Sequence, residues 1–380
     1  GHGFLTNPVA YDSTLRHLAT HGYLVIATES YTGFFPNHSK YADDLLHSLT
    51  WLERADTDSG SPYFGAVDTG ALGLSGHSMG GGASVLAASR DPRVRALVNL
   101  AAAETNPSAI GAMGAVLVPA VLLSGSEDTI TPPSQHQVPM YEAGAAPKQL
   151  VTLVGGSHCG FLDDSIIFCD PGSMDRAVQL RLTRRLLVER FDLYLKGDQA
   201  RWGVVWGPGR DDDPQVHVTS ESGISLSPSS ERLPVRAGAR ALSGFDVTNT
   251  GSVECSYTLA VEHAPWPSSV TPAQTSPLAP GGSASIEVLV SPPVDAAGGQ
   301  AELLVTARSD RDTGTRGYAT LEVDVLCPGD WTLDGEVDTR DLLAFLNDWA
   351  GVDPESDLNR DGVVDTLDVL VFLNLYALDC

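Results

Sequence analysis

The chain has 380 residues, 42% of them apolar and 19% charged, with a formal net charge of −25. That length suggests two or three domains. So large an acidic excess excludes nucleic acid and anionic membranes as partners, because no cluster of Lys and Arg could neutralise phosphates, and no run of 18 apolar residues offers a membrane span.

Up to about residue 200 the pattern is α/β. Apolar runs at 23–30 (YLVIATES), 71–76 (ALGLSG), 94–102 (VRALVNLAA), 119–128 (PAVLLSGSED) and 148–156 (KQLVTLVGG) read as short buried strands. Segments 40–55, 81–90 and 174–197 carry helical spacing between and after them. Such alternation predicts a parallel sheet covered by helices. Residues 201–218, rich in Gly, Pro and Asp, read as a linker. From 219 to 326 come only short strands with alternating Val, Thr and Ile, which predict an immunoglobulin-like β-sandwich. Residues 327–380 form a third region, with 13 acidic residues against Arg340 and Arg360.

Within the first region, Gly76-His77-Ser78-Met79-Gly80 fits the nucleophile-elbow pattern G-x-S-x-G, and it stands where that pattern should, after an apolar strand and before a helix. Its glycines permit the strained turn that holds a serine hydroxyl above the sheet. A Gly-rich strand-to-helix turn without chemistry is the alternative, and partner residues decide between the two. Serine is a poor nucleophile unless a histidine takes its proton and a carboxylate orients that histidine. Asp128 follows the strand that starts at 119 and His158 follows the strand that starts at 148, in the order Ser, Asp, His. Glu127 and Glu104 are the other candidate acids, while His136, His38 and His47 read as surface residues and His217 and His263 fall in the β-rich region. Met79 and Phe4 are the expected oxyanion donors through their backbone N–H groups, Phe4 because His2-Gly3-Phe4 resembles the H-G element of esterases.

Residues 2–30, GHSMGGGAS and the stretch from Val118 to His158 together resemble cutinase-like polyester hydrolases, relatives of dienelactone hydrolase. The resemblance covers most of residues 1–196 and implies a serine esterase with Ser78, Asp128 and His158 as triad and no cofactor for catalysis. It leaves poly(ethylene terephthalate), aliphatic polyesters, or small soluble esters and lactones as substrate classes. Where that family carries a Pro-Trp pair, this chain has AAAETNPS at 101–108, so one aromatic wall is missing. In the family the H-G loop follows a strand lying between the two formed here by 23–30 and 71–76, which predicts an N-terminally truncated domain that folds poorly alone. A non-catalytic assembly or surface-anchoring module with a degenerate hydrolase domain is the rival reading.

The tail holds an internal repeat, one copy from Asp330 and one from Asp357. Asp330, Thr332, Asp334, Glu336 and Asp341, then Asp357, Asn359, Asp361, Val363 and Asp368, occupy positions 1, 3, 5, 7 and 12 of two calcium loops, with Gly335 and Gly362 at position 6. With Asp at position 12 and a single helix after each loop, the tail resembles a type I dockerin of the variant that opens on Cys-Pro and closes on Cys. That resemblance implies two calcium ions, a cohesin-like protein partner and a Cys327–Cys380 bridge. Cys159 and Cys169 form a second candidate pair, leaving Cys255 as an odd thiol buried in a strand. Disulfides imply export, so the expected location is extracellular or at the cell surface, although no signal peptide precedes residue 1.

Overall fold

A computed structural model describes residues 1–30, 33–164, 169–312 and 314–378. Two compact units emerge. The first comprises Gly1–Gly223 with Thr250–Val253 and Arg311–Arg316, and the second comprises Ile224–Asn249, Glu254–Asp310 and Gly317–Cys380.

In the first unit the elements run α1 (Asp12–Thr20), α2 (His38–Thr57), β1 (Leu72–Leu74), α3 (Met79–Ala88), β2 (Val94–Leu100), α4 (Ala109–Ala112), β3 (Ala120–Gly125), α5 (Gln137–Ala143), β4 (Lys148–Leu153), α6 (Arg176–Leu195), α7 (Trp202–Val205) and β5 (Val216–Glu221). The sheet order is β1-β2-β3-β4-β5, with the first four parallel and β5 antiparallel to β4. Strands β2 and β3 are apolar at almost every position because helices cover both faces. One core packs α2, α3 and α5 on the sheet, and a second packs α1 and α6. This is an α/β-hydrolase-like domain with a mixed sheet, and four of the five expected strands form.

The fifth does not, and the expectation for residues 23–30 is corrected: they form no strand. A strand exists only by sharing a ladder with a neighbour, and among the described residues β1 pairs with β2 alone. Leu24, Val25 and Ile26 are left partly exposed. A cavity of about 190 Å³ is lined by Leu24, Ile26, Gly73 and Leu74 among others.

Residues 201–218, expected as a linker, carry the buried Trp202, Val205 and Trp206 and the start of β5, which pairs along the whole of β4 from Lys148↔Glu221 to Leu153↔Val216. Composition misled here because Gly, Pro and Asp also make the tight turn at Pro208–Asp211 that feeds an edge strand. His217 therefore lies on β5, opposite Thr152.

The second unit holds β6 (Ile224–Ser227), β7 (Ser230–Arg236), β8 (Ala241–Asn249), β9 (Tyr257–Glu262), β10 (Ser268–Thr271), β11 (Ser283–Val290), β12 (Gln300–Ser309) and β13 (Arg316–Leu326). They make two four-stranded sheets, β10-β11-β8-β6 and β7-β13-β12-β9. Alternate residues of both sheets, Phe245, Val247, Ile286, Val288, Val305 and Leu321 among them, share one core, as a sandwich requires. Cys255 is a buried free thiol just before β9, 3.2 Å from Ser309 Oγ.

The same unit ends in α8 (Thr339–Ala350) and α9 (Thr366–Tyr376). Each starts with a capping box, Asp338 with Asp341 and Asp365 with Asp368. Phe345 and Phe372, equivalent positions of the repeat, stack at 4.1 Å between centroids and 8° between planes, with Trp331 edge-on to both. The repeat thus builds a small aromatic core between its own two copies. Among the described residues no helix is long and apolar enough to cross a membrane.

Candidate active site

Ser78 sits between β1 and α3 with φ 55° and ψ −121°, a positive φ that a non-glycine residue adopts only when its surroundings compel it. The surroundings are hydrogen bonds. Ser78 N donates to Leu100 O (2.9 Å), and Ser78 O accepts from Ala103 N (2.8 Å) and Gly82 N (3.1 Å). The flanking glycines are steric necessities: a Cβ at Gly76 would run into the carbonyl of Gly80, and one at Gly80 into the backbone of Gly1.

Asp128 follows β3, and an Asx-type turn shapes its loop: Asp128 Oδ1 accepts from the backbone N–H of Ile130 (2.9 Å) and Thr131 (2.7 Å). His158 follows β4. With its proton on Nδ1, it donates to Asp128 Oδ2 at 2.8 Å. Ser78, Asp128 and His158 are all buried. Burial opposes the Asp128 charge, but the hydrogen bonds from His158 and Thr131 outweigh it and hold the carboxyl below its ordinary value. No hydrogen bond joins Ser78 Oγ to His158 among the described residues; the two are neighbours through His77, whose ring lies 4.5 Å from that of His158. Such bonds are commonly long before substrate arrives.

The loop carrying His158 is tied down three times. Asp170 accepts from the backbone N–H groups of His158 (2.9 Å) and Cys159 (3.0 Å). Gln179 of α6 brackets Ser157, accepting from its N–H (3.1 Å) and donating to its carbonyl (2.8 Å). Cys159 and Cys169 form the expected disulfide, Cα to Cα 5.5 Å. Asp170 gave no signal in the sequence beyond its place beside Cys169.

The other candidate acids are engaged elsewhere. Glu127 accepts from Ser173 N–H (2.6 Å) and Oγ (2.7 Å), and Glu104 accepts from Ile110 N–H (2.8 Å). His136 accepts from Glu104 N–H (2.9 Å), and burial lowers its pKa, so it is half-buried rather than a free surface group.

Residues 1–4 run beside the elbow. His77 N donates to Gly1 O (2.9 Å), and a Cβ on Gly3 would stand 3.4 Å from the Ser78 Cβ. Gly3 N donates to Tyr11 Oη (2.9 Å), and that hydroxyl meets His77 Nδ1 at 2.8 Å. Burial, with the charge of His158 adding to it, drives the His77 pKa well down, so His77 stays neutral. Neither Phe4 N–H nor Met79 N–H has an acceptor among the described residues; Met79 directly follows Ser78, and Phe4 directly follows Gly3. Met79 opens α3, where N–H groups are orphaned by helix geometry. Tyr11 and His77 were not foreseen as supports, because their contact spans 66 positions.

In the tail the two loops share their main backbone-to-carboxylate bonds. Asp330 accepts from Asp334 N–H (3.2 Å) and Gly335 N–H (2.9 Å), as Asp357 does from Asp361 (3.2 Å) and Gly362 (2.9 Å). Asp341 accepts from Thr332 N–H (2.8 Å) and Asp368 from Asn359 N–H (3.1 Å). Gly335 and Gly362 take φ 89° and 86°, the conformation the sixth position demands. Burial, with the neighbouring Asp341 charge adding to it, raises the Asp330 pKa against its hydrogen bonds. No group of three or more His, Cys, Asp or Glu side chains is drawn together for a metal among the described residues. The side chains at the repeated loop positions, Val363 apart, are carboxylates, a hydroxyl and an amide. Cys327 is disulfide-bonded; Cys380, its expected partner, lies outside the described residues.

Comparison with known proteins gives the class of this region. Residues 2–165 match the family model described as PETase, PET hydrolase-like. The particular relatives agree with it. A cutinase, est1, of Thermobifida alba is 32% identical over 145 residues, 38% of this chain and 46% of the relative. A cutinase of Thermobifida fusca (strain YX) is 29% identical over 146 residues, 38% and 46% respectively. A bis(hydroxyethyl) terephthalate hydrolase of Streptomyces coelicolor is 30% identical over 136 residues, 35% and 41%. The chain spans about half the length of the curated relatives it matches. Residues 2–165 therefore carry a hydrolase domain of the PET hydrolase-like, cutinase-like kind.

Proposed function

We propose that this protein is an exported serine carboxylic-ester hydrolase acting on polyesters, aromatic or aliphatic, and on smaller esters. The observation that carries the reading is the pairing of a strained Ser78 elbow with a buried Asp128–His158 hydrogen bond of 2.8 Å, at the ends of β1, β3 and β4 in the order Ser, Asp, His. His158 takes the Ser78 proton as Oγ attacks the ester carbonyl, while Asp128 holds the imidazole in the tautomer that leaves Nε2 free to accept. The N–H groups of Phe4 and Met79 stabilise the oxyanion. The tetrahedral intermediate collapses to an acyl-Ser78 ester as the alcohol leaves with the proton from His158. Water, deprotonated by His158, then releases the acid and restores Ser78.

The remainder serves placement. The sandwich is read as an immunoglobulin-like spacer, and the tail as a dockerin-like module in which Asp330, Thr332, Asp334, Glu336 and Asp341 hold one Ca²⁺ and Asp357, Asn359, Asp361, Val363 and Asp368 a second. Calcium would neutralise the gathered carboxylates and fix both loops, leaving α8 and α9 to present a face to a cohesin-like partner. The disulfides support an extracellular location.

The lack of a Ser78–His158 hydrogen bond favours the rival, a non-catalytic anchoring module. One assay separates the two: hydrolysis of a short-chain p-nitrophenyl ester by this chain and by Ser78→Ala, in calcium and without reductant. Turnover that vanishes with Ser78 supports the esterase. Absence of turnover in both overturns it.

A further inference from the structure

We infer that Thr131 is a positioning residue for the acid–base pair, an inference that rests on the hydrolase reading above. Its hydroxyl stands where no free polar group is needed for the fold alone, buried and within reach of four partners. Oγ1 is 2.8 Å from Asp128 Oδ2, 3.0 Å from His158 Nδ1, 3.2 Å from Ala101 O and 3.4 Å from Gln137 Nε2.

A hydroxyl has one proton and two lone pairs. Given to Asp128, its shortest acceptor, that proton completes the carboxylate: Oδ1 takes the N–H groups of Ile130 and Thr131, and Oδ2 takes His158 and the Thr131 hydroxyl. The lone pairs then face the Nδ1–H of His158 and the amide of Gln137. The imidazole proton is thus shared between two oxygens, Asp128 Oδ2 and Thr131 Oγ1. A ring held by one acceptor can swing about that bond, whereas a ring held by two cannot without losing one.

This matters because on the Ser78 side no hydrogen bond among the described residues holds the ring, which only packs against that of His77 at 4.5 Å. Its Nε2 must meet Ser78 Oγ, and with no hydrogen bond between them the aim comes from the Nδ1 edge. Gln137, whose amide donates to Thr131 Oγ1, also donates to Ala102 O (2.7 Å). That carbonyl belongs to the chain just after β2, where Ala103 N–H holds the Ser78 carbonyl. The hydroxyl therefore links the acid–base pair to the backbone that fixes the nucleophile turn.

Thr131→Val deletes the hydroxyl at nearly constant volume and keeps the backbone N–H bond to Asp128. On a short-chain p-nitrophenyl ester it should lower kcat roughly tenfold to a hundredfold, the scale on which misplacement by about 1 Å acts, with KM within about twofold. Thr131→Ser should recover kcat to within about threefold of the parent. Downfield proton NMR gives a readout free of turnover. The Nδ1–H resonance, assigned by its loss in His158→Ala, should shift or broaden in Thr131→Val and return in Thr131→Ser. Unchanged kcat together with an unchanged resonance in Thr131→Val would overturn the inference, as would a Thr131→Ser variant no better than Thr131→Val. If the parent shows no Ser78-dependent turnover, the esterase reading falls, and the resonance alone still decides whether Thr131 positions His158.

Discussion

The Ser78 site and the tail loops are both polar clusters on a folded scaffold, yet they are assembled over very different lengths of chain. Ser78, Asp128 and His158 come from three strand ends, and their approach depends on β1 to β4 lying in order. Each tail loop spans twelve residues, closes on its own backbone and is written twice. Long-range assembly can bury a charge pair completely but fails if one strand is misplaced. A local loop survives damage elsewhere, and its weakness is instead the like charge it gathers.

The largest expected effect tests the long-range site. Asp128→Asn keeps the shape but no longer fixes the His158 tautomer, and kcat should fall on the order of 10⁴. A loss below about tenfold would show that the site does not work as a triad. For the local sites, chelation of calcium should remove about 3 kcal/mol of stability per site from the C-terminal unit when the ion stands a hundredfold above its Kd, seen as increased proteolysis within α8 and α9. Ester turnover should be untouched. Equal proteolysis with and without chelator would sink the calcium assignment.

Replacing both Cys159 and Cys169 by Ser should cost about 2–3 kcal/mol, because the bridge closes a short loop, with denaturant melts of the N-terminal unit as the check. The smallest effect is that of pH. His77 stays neutral in the fold while its ordinary value is 6.5, so the unfolded chain binds its proton first. Stability is therefore full above about pH 6.5 and declines as pH falls below it. The depressed Asp128 carboxyl acts in the same direction further down, its contribution being lost as pH falls through the folded value. Urea melts at pH 7.5 and 5.5 should show the decline, and His77→Gln should flatten it in part, since His2 and His136 are lowered by burial too. Identical slopes would exclude His77 as the origin.

Much of this was legible in the chain itself. Period and apolar runs located β1 to β4 and the helices α2, α3 and α6, because each of those elements is covered by its neighbours in the way its pattern assumes. The G-x-S-x-G context pointed to Ser78, and position after a strand pointed to Asp128 and His158. The repeat at 330 and 357 located both loops. Residues 23–30 read as a strand just as clearly, yet strand formation depends on a pairing partner, which no local pattern contains. For the same reason β5 was hidden within a turn-rich stretch: its strand character comes from the edge of β4.

What the sequence determined by itself is therefore whatever lies within one element or one loop: helix faces, the glycine demands of the elbow, the spacing of the two repeated acidic loops. What only the tertiary structure decided is which distant groups meet. Glu127 and Glu104 were rivals to the favoured Asp128 until their hydrogen bonds to Ser173 and Ile110 were known. Thr131 was a turn residue until its hydroxyl was found against His158, and Asp170 an anonymous acid until it received three backbone N–H groups. Hydrogen bonds act over about 3 Å, so partners separated by tens of residues are fixed by the fold that brings them within that distance.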